Sequence, residues 1–352
     1  MIHRSNGFDG LRLVAAAMVI FGHAFPLTGH TSPGLFANGV QTIGVKVFFV
    51  ISGYLITKSW LSDPDLRRFW TKRALRIMPG LFAVCMISIL VVGPLFTELP
   101  ILEYFRNGRT IGYASILALY PQYDLPDVFV KNIYPNVVNG SLWSLPIEIA
   151  MYCGVPLLVG RYGLPGRIYV AVATVGLFAA SIYFVRIAPP ATPPVIWGSS
   201  LISTLDVAYY FYAGASIAIF RLDRYFDAYT AGVVFVVASW LPLNYVWGEV
   251  VLALTLPYFV VSLGKIRSAL LVRLDGHDYS YGLYLYGFVV QQIIVHLMGP
   301  SSALLNAAIA LPITAICAAI SWFLVEKRAL GFKPEVTKQS EPAELVRAHD
   351  VN

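Results

Sequence analysis

Four apolar segments of the chain each carry an ionisable or amide side chain at a similar distance from one end. His23, Lys46 and Glu148 each lie about seven residues inside their segment, and Gln291 and Gln292 lie at a comparable position in a fourth. At about 1.5 Å of rise per helical residue, all come to roughly 10 Å below a membrane surface. Ionisable side chains are costly inside a bilayer, so these residues are candidates for a functional site. A histidine and a carboxylate at one depth are typical of general-base catalysis.

Each of these residues also has a structural interpretation. A lone histidine in an apolar helix more often forms a structural hydrogen bond than takes part in a reaction. Lys46 pairing with Glu148 would neutralise both charges, and the two glutamines would serve equally well as hydrogen-bonding links between helices. The residue types alone leave both interpretations open.

A second candidate site is the basic segment from Arg67 to Arg76, which has five cations in ten residues. Arg68, Lys72 and Arg76 recur at four-residue intervals and would share one face of a helix. Arg73 lies three residues before Arg76, beside that face. Guanidinium groups bind phosphate oxygens in a bidentate manner, which favours a phosphate-bearing ligand. A basic loop that contacts anionic lipid would have the same composition.

The composition indicates where these candidates must be placed. Of the 352 residues, 57% are hydrophobic and only 12% are charged, whereas soluble proteins carry about 25% charged residues. This excludes a water-soluble enzyme, a disordered protein and a nucleic-acid-binding domain. Cys85, Cys153 and Cys317 lie in apolar runs without a CxxC pair, so they are interpreted as buried hydrophobic residues and not as metal ligands or a disulfide.

The elements that position the candidates are predicted to be transmembrane helices. A helix needs about 20 mostly apolar residues to cross the hydrocarbon of a bilayer. Ten segments qualify: 11–29, 40–60, 75–95, 141–160, 168–186, 204–220, 228–243, 246–263, 280–298 and 303–325. We therefore expect an all-α polytopic bundle over residues 1–330. The first segment lacks a small-residue cleavage site, which favours an uncleaved helix over a signal peptide.

Lysine and arginine predict the orientation of the bundle. With ten crossings, twenty cations fall on the side of the two termini and four on the other, with Lys46 inside a segment. The positive-inside rule then places both termini in the cytoplasm. Residues 97–140 form a long outer loop in this topology, and residues 331–352 a cytoplasmic tail whose polar composition favours disorder.

Six motifs occur along the chain in the order of one known family. They are residues 8–12 (FDGLR) followed by His23, 44–56 (GVKVFFVISGYLI), 72–79 (KRALRIMP), 139–148 (NGSLWSLPIE), 278–286 (DYSYGLYLY) and 321–326 (SWFLVE). Each motif alone is loose, but the set covers nearly the whole chain. The sequence resembles the membrane acyltransferase-3 family.

The resemblance implies a ten-helix enzyme of the bacterial inner membrane that moves acyl groups, mostly acetyl, from cytoplasmic acyl-CoA to hydroxyls of outer-face carbohydrates. It places the catalytic histidine at His23 and the acidic residue of the fourth helix at Glu148. The arginines that bind acyl-CoA fall on Arg73 and Arg76, with Arg12 from the first motif. We add Lys72 to the acyl-CoA site, and an acceptor pocket is expected from Trp143, Ser52, Lys46, Gln291 and Asn139.

The sequence departs from the family in two places. Gly287 stands where many members carry a histidine, so a second catalytic histidine is not expected there. Many relatives continue into a periplasmic esterase-like domain after the tenth helix, and this chain stops. It is therefore expected to complete the transfer itself or to pass the acyl group to a separate protein.

The implied mechanism has a donor side and an acceptor side. Acyl-CoA phosphates would bind the arginines, and the thioester would reach the depth of His23 and Glu148. His23 would act as general base on an acceptor hydroxyl, with Glu148 stabilising the imidazolium, or would itself carry the acyl group as a covalent relay. The competing functions are a flippase for a lipid-linked saccharide and a lipid- or protein-directed acyltransferase. The prediction includes no metal and no nucleic-acid partner.

Overall fold

The computed structural model describes residues 7–160, 163–266, 278–299 and 301–334. Ten long helices in these ranges correspond in order to the ten predicted segments. They are α1 (Gly7–Leu27), α2 (Val40–Ser62), α3 (Leu66–Phe96), α4 (Gly140–Val159), α5 (Leu164–Ile187), α6 (Leu201–Ile219), α7 (Ala228–Ser239), α8 (Tyr245–Gly264), α9 (Ser280–Met298) and α10 (Ala303–Leu330). Two short antiparallel hairpins join α1 to α2 and α5 to α6: β1 (Gly34–Leu35) with β2 (Asn38–Gly39), and β3 (Val195–Ile196) with β4 (Ser199–Ser200). The all-α polytopic prediction is confirmed.

Two of the ten helices are not typical membrane spans. Eight helices in the described ranges are long and apolar enough to cross a membrane, and α6 and α7 are not among them. Helix α6 has 19 residues but carries Asp206 and three tyrosines, which lower its hydropathy. Helix α7 has only 12 residues and ends at Ser239, four residues before the predicted end. At about 1.5 Å per residue it is too short to cross the hydrocarbon alone.

The basic segment is helical, not a loop. Helix α3 begins at Leu66, although the apolar pattern predicts its start near residue 75. The Asp65 side chain caps this start by accepting a hydrogen bond of 2.8 Å from the Arg68 backbone N–H. A capping aspartate satisfies one of the free N–H groups of the first turn. The cap at Asp65 therefore determines where α3 begins. A search for apolar segments does not detect this polar first part of the helix.

Segment 97–140 is folded against the bundle rather than extended. It contains helices Ile101–Arg106 and Gly108–Gly112, and its Tyr104, Tyr113 and Phe129 are fully buried. The Tyr104 hydroxyl donates to the Ile89 carbonyl of α3 over 2.9 Å. The buried side chains of the segment thus pack against α3, α4 and α9.

Helix α2 is the central element, and α6 packs against it more extensively than any other described helix does. Two glycines make this approach possible. A Cβ on Gly53 would lie 1.8 Å from the Phe211 carbonyl oxygen, and a Cβ on Gly214 would lie 2.3 Å from the Val50 carbonyl oxygen. Small residues allow helix backbones to approach closely in a membrane bundle. The last helix, α10, ends at Leu330, and most of the predicted tail (335–352) lies outside the described residues.

Candidate active site

A cavity of about 730 Å³ lies among α1, α2, α3, α4 and α9. Its charged lining consists of Arg12, Arg73, Arg76 and Glu148, and we call it the basic cavity. Arg12 lies near the start of α1, and Arg73 and Arg76 lie in the first three turns of α3. The cavity therefore belongs to the end of the bundle at which α1 begins, which we call the basic end.

The three arginines differ in how their charge is compensated. Arg76 forms an ion pair with Asp278, and Arg12 lies 3.7 Å from the same carboxylate. Burial would raise the pKa of Asp278, but the charges of Arg76 and Arg12 outweigh it and hold the pKa below its usual value. Among the described residues, no carboxylate pairs with Arg73, and its Nε is buried without a hydrogen-bond partner.

Lys72 does not line the basic cavity, although it was predicted to bind the same ligand. Its Nζ lies 2.8 Å from Asp63, which also accepts hydrogen bonds from Arg68. Hydrogen bonds from Arg68 and Lys72 lower the pKa of Asp63 to about 2. In the basic segment, Arg68 and Lys72 are therefore held by Asp63, whereas Arg73 and Arg76 line the cavity.

Glu148 lies in the wall of the basic cavity and not beside His23. It accepts hydrogen bonds from the hydroxyls of Tyr152 and, over 3.1 Å, Ser52. Ser52, predicted as an acceptor-pocket residue, lines the same cavity. The structure thus brings Glu148 together with the arginines.

His23 lines a separate cavity of about 500 Å³ between α1, α2, α4 and α6, which we call the histidine cavity. Its ring contacts the edge of the Phe288 ring at a centroid distance of 5.4 Å. Within the described ranges, no group offers a hydrogen bond to its Nδ1. Trp143 and Asp206 lie in the same lining. The imidazole therefore faces a cavity inside the protein.

Lys46 belongs to a buried charge network that was not predicted from the sequence. It binds Glu249 over 2.8 Å and lies 3.0 Å from Asp206, and Arg186 binds Glu249 over 2.6 Å. The Tyr210 hydroxyl donates to Glu249 over 2.6 Å. The predicted alternative of a Lys46 pair with Glu148 is wrong.

The signal for this network was present in the sequence. Asp206, Glu249 and Arg186 all lie within or at the edges of predicted membrane segments, where each charge requires a partner. Together with Lys46 they make two positive and two negative charges, which sum to zero. The pairing itself requires knowledge of which helices are neighbours.

Gln291 and Asn139 form structural hydrogen bonds. The Gln291 amide donates to the Ile20 carbonyl over 2.8 Å and to Asn306 over 3.1 Å, which joins α9 to α1 and α10. Asn139 donates to the Leu285 carbonyl over 2.8 Å and accepts from the backbone at the start of α4. Neither residue lines the basic or the histidine cavity. In the described part of the chain, no cluster of histidine, cysteine or acidic residues is arranged to hold a metal ion.

The fold and these cavities define a multi-pass membrane protein with an arginine-lined site at one end and a histidine-lined site further along the bundle. Residues 5–326 match the acyltransferase-3 family model, described as an acyltransferase domain. The chain belongs to this family, and the predicted resemblance is confirmed. It is accordingly an acyltransferase.

Curated relatives agree with this assignment. The chain is 31% identical to an O-acetyl transferase of Shigella phage Sf6, over 94% of this chain and 97% of the phage protein. It is 34% identical to nodulation protein 10 of Rhizobium leguminosarum bv. viciae over 52% of each chain. It is also 31% identical to a peptidoglycan O-acetyltransferase of Listeria monocytogenes, over 41% of this chain and 22% of that protein. No solved structure matches the chain.

Proposed function

We propose that the protein transfers an acetyl group from cytoplasmic acetyl-CoA to a hydroxyl of a carbohydrate on the outer side of a bacterial inner membrane. In this proposal the basic end of the bundle and both termini face the cytoplasm. The similarity to O-acetyltransferases supports acetyl as the transferred group. The excess of lysine and arginine near the termini supports the orientation.

The observation that carries the proposal is the state of Arg73. A guanidinium with a buried, unpartnered Nε and no ion pair among the described residues is an incomplete arrangement. Unpaired buried polar groups are costly, so such a group is expected to meet an anion. A CoA phosphate meets this need, because a guanidinium binds phosphate oxygens in a bidentate manner. Arg76 and Arg12 share Asp278, so they would contribute less to binding than Arg73.

The acetyl thioester would extend from the arginines through the basic cavity towards the histidine cavity. His23 would take the proton of the acceptor hydroxyl as that oxygen attacks the thioester carbonyl. The carbon–sulfur bond then breaks, the ester forms, and the departing thiolate of CoA takes the proton back from the His23 imidazolium. The half-buried position of His23 supports this role because limited access of water disfavours hydrolysis of the thioester.

The test uses the full chain in lipid nanodiscs with radiolabelled acetyl-CoA as the probe. We expect Arg73→Ala to weaken acetyl-CoA binding by roughly tenfold or more, the value of a lost charge-assisted contact. Arg68→Ala is the matched control, because Arg68 lies on the same helix but is held by Asp63. Equal binding by both variants would remove the donor site from the proposal.

The acceptor half is tested in cells. Deletion of the gene should remove acetyl esters from surface carbohydrate, as measured by mass spectrometry. The wild-type gene should restore them, and His23→Ala should not, although it yields the same amount of membrane protein. An acetyl-histidine adduct trapped without acceptor would assign a covalent relay to His23 in place of direct transfer. Unchanged acetylation after deletion would contradict the proposal.

A further inference from the structure

A second polar cavity opens beside the histidine cavity. It has a volume of about 600 Å³ and is lined at helix ends by Asn38, Arg186 and Tyr245, among other residues. We call it the polar cleft. Asn38 precedes α2, Arg186 is the second-last residue of α5, and Tyr245 begins α8. Because α2 ends near the basic cavity, the polar cleft lies at the opposite end of the bundle.

The polar cleft and the histidine cavity are neighbours. Thr42, Ser203 and Asp206 belong to the linings of both. Together the two cavities extend from the end of the bundle at Tyr245, past these three side chains, to His23, and we call them the path.

Asp206 is the member of the charge network that lines both cavities, whereas Arg186 lines only the polar cleft. Its side chain is 14% exposed, against 6% for Arg186, 2% for Glu249 and 0% for Lys46. Lys46 and Arg186 both approach the same oxygen, Oδ1, at 3.0 and 3.4 Å. The two cations hold the carboxylate in place, and in the described part of the chain Oδ2 receives no hydrogen bond. That oxygen is available to a hydroxyl donor in the path.

We propose that the polar cleft and the histidine cavity bind the acceptor as an uncharged sugar, with Asp206 receiving a ring hydroxyl while a neighbouring hydroxyl reaches His23. This inference rests on the proposed function and names its acceptor class. Hydrogen bonds from hydroxyls to a carboxylate are charge-assisted and therefore strong. Tyr245 and Trp143 provide an aromatic ring at each end of the path for the apolar faces of a sugar.

The charge of the path favours a neutral sugar over an acidic one. The four side chains of the network sum to zero charge, and Asp206 is the most exposed of them. An incoming carboxylate or phosphate would meet the accessible charge of Asp206 and would be repelled. The arginine-lined basic cavity has the opposite character, so the two ends of the bundle select differently charged ligands.

The decisive variant is at Ser203, which lines both cavities but lies outside the charge network. Ser203→Trp should fill the junction and lower transfer to polysaccharide by roughly tenfold or more, with the KM for acetyl-CoA unchanged. Leu205→Trp introduces the same large side chain on the same helix at a position that lines neither cavity, and as the matched control it should stay within about twofold of wild type. The acceptor is polysaccharide extracted from the deletion strain, and the donor is radiolabelled acetyl-CoA.

Asp206→Asn is the second variant and should raise the KM for the same polysaccharide while the KM for acetyl-CoA stays constant. Should this variant fail to fold because Lys46 and Arg186 lose a partner, Ser203→Trp with its Leu205→Trp control decides alone. The acetyl ester should map by mass spectrometry to an uncharged sugar. An ester on a uronic acid or a phosphorylated sugar, or full activity of Ser203→Trp, would overturn the inference. If the wild-type protein did not bind acetyl-CoA, that result would instead contradict the proposed function.

Discussion

Glu148 lies on α4 beside the arginines, where hydroxyls of Tyr152 and Ser52 donate to it. Its charge offsets part of the positive charge of the basic cavity. We expect Glu148→Gln to lower the KM for acetyl-CoA by about threefold to tenfold, because an anionic ligand would meet less repulsion. Steady-state kinetics in nanodiscs measures this, with the exposed Glu103→Gln as control.

A large fall in kcat for Glu148→Gln would instead indicate that Glu148 orients the His23 imidazole. A carboxylate that orients a catalytic imidazole lowers kcat by up to about 10⁴-fold when it becomes an amide. A large fall in kcat with a shifted pH profile would therefore contradict the donor-side position. The KM and kcat of Glu148→Gln thus separate the sequence-based role from the one that the geometry favours.

The residue types in the candidate site could be chosen from the sequence, but their grouping could not. His23, Arg12, Arg73 and Arg76 were selected by depth, spacing and resemblance, and each lines a cavity. The depth argument also placed Glu148 with His23, because depth is one coordinate and says nothing about position around the bundle axis. Asp206 was missed for the same reason, since its helix neighbours are set by packing.

At the scale of elements, the close approach of α2 and α6 depends on Gly53 and Gly214. Gly53→Ala should destabilise the protein by about 1–3 kcal/mol or more, since the new methyl group would overlap the Phe211 backbone. Thermal unfolding in detergent measures the change. Gly232→Ala on α7 is the control, because nothing lies within 4 Å of its Cβ position. Equal melting temperatures for both variants would show that α2 and α6 separate easily.

Asp63 joins the end of α2 to the beginning of α3 through Arg68 and Lys72. Its folded pKa of about 2 lies below the value of about 3.9 for an unfolded chain. Its contribution to stability is therefore present above pH 4 and is lost as the pH falls towards 2.

Asp63→Asn should accordingly lower the melting temperature by about 2–4 °C at neutral pH, a small value because Arg68 is partly exposed. The difference from wild type should stay constant between pH 7 and 5 and shrink below pH 4. Differential scanning fluorimetry across this range tests it. A difference that disappears near pH 6 would indicate another titrating group.

The elements themselves were largely predictable. Ten apolar segments gave ten helices, because in a membrane protein an apolar run of this length has few alternatives to a helix. The beginning of α3 and the packed segment 97–140 were not predicted. The beginning of α3 depends on the Asp65 cap, and the packing of segment 97–140 depends on buried tyrosines. Neither feature produces a periodic apolar pattern in the sequence.

At the scale of the whole molecule, the basic cavity and the histidine cavity meet at Val45. This side chain is 5% exposed and belongs to both linings, and the described residues offer no other such position. In the proposed function, an acetyl group that moves from one cavity to the other would pass Val45. This side chain would then act as a wall between the path of the acceptor and the thioester, which would limit hydrolysis of that thioester.

Substitution at Val45 should change this separation in two directions. Val45→Ala is expected to raise hydrolysis of acetyl-CoA without acceptor, because water would reach the thioester. Val45→Phe is expected to lower transfer by roughly tenfold or more with acetyl-CoA binding retained, since binding depends on the arginines.

Release of free CoA thiol and transfer of radiolabel measure the two activities in nanodiscs. Val47→Ala and Val47→Phe are the controls, because Val47 is 7% exposed on the same helix but lines neither cavity. An equal loss of transfer in Val45→Phe and Val47→Phe would mean that overpacking of α2 lowers the rate, and not a change in the wall between the cavities.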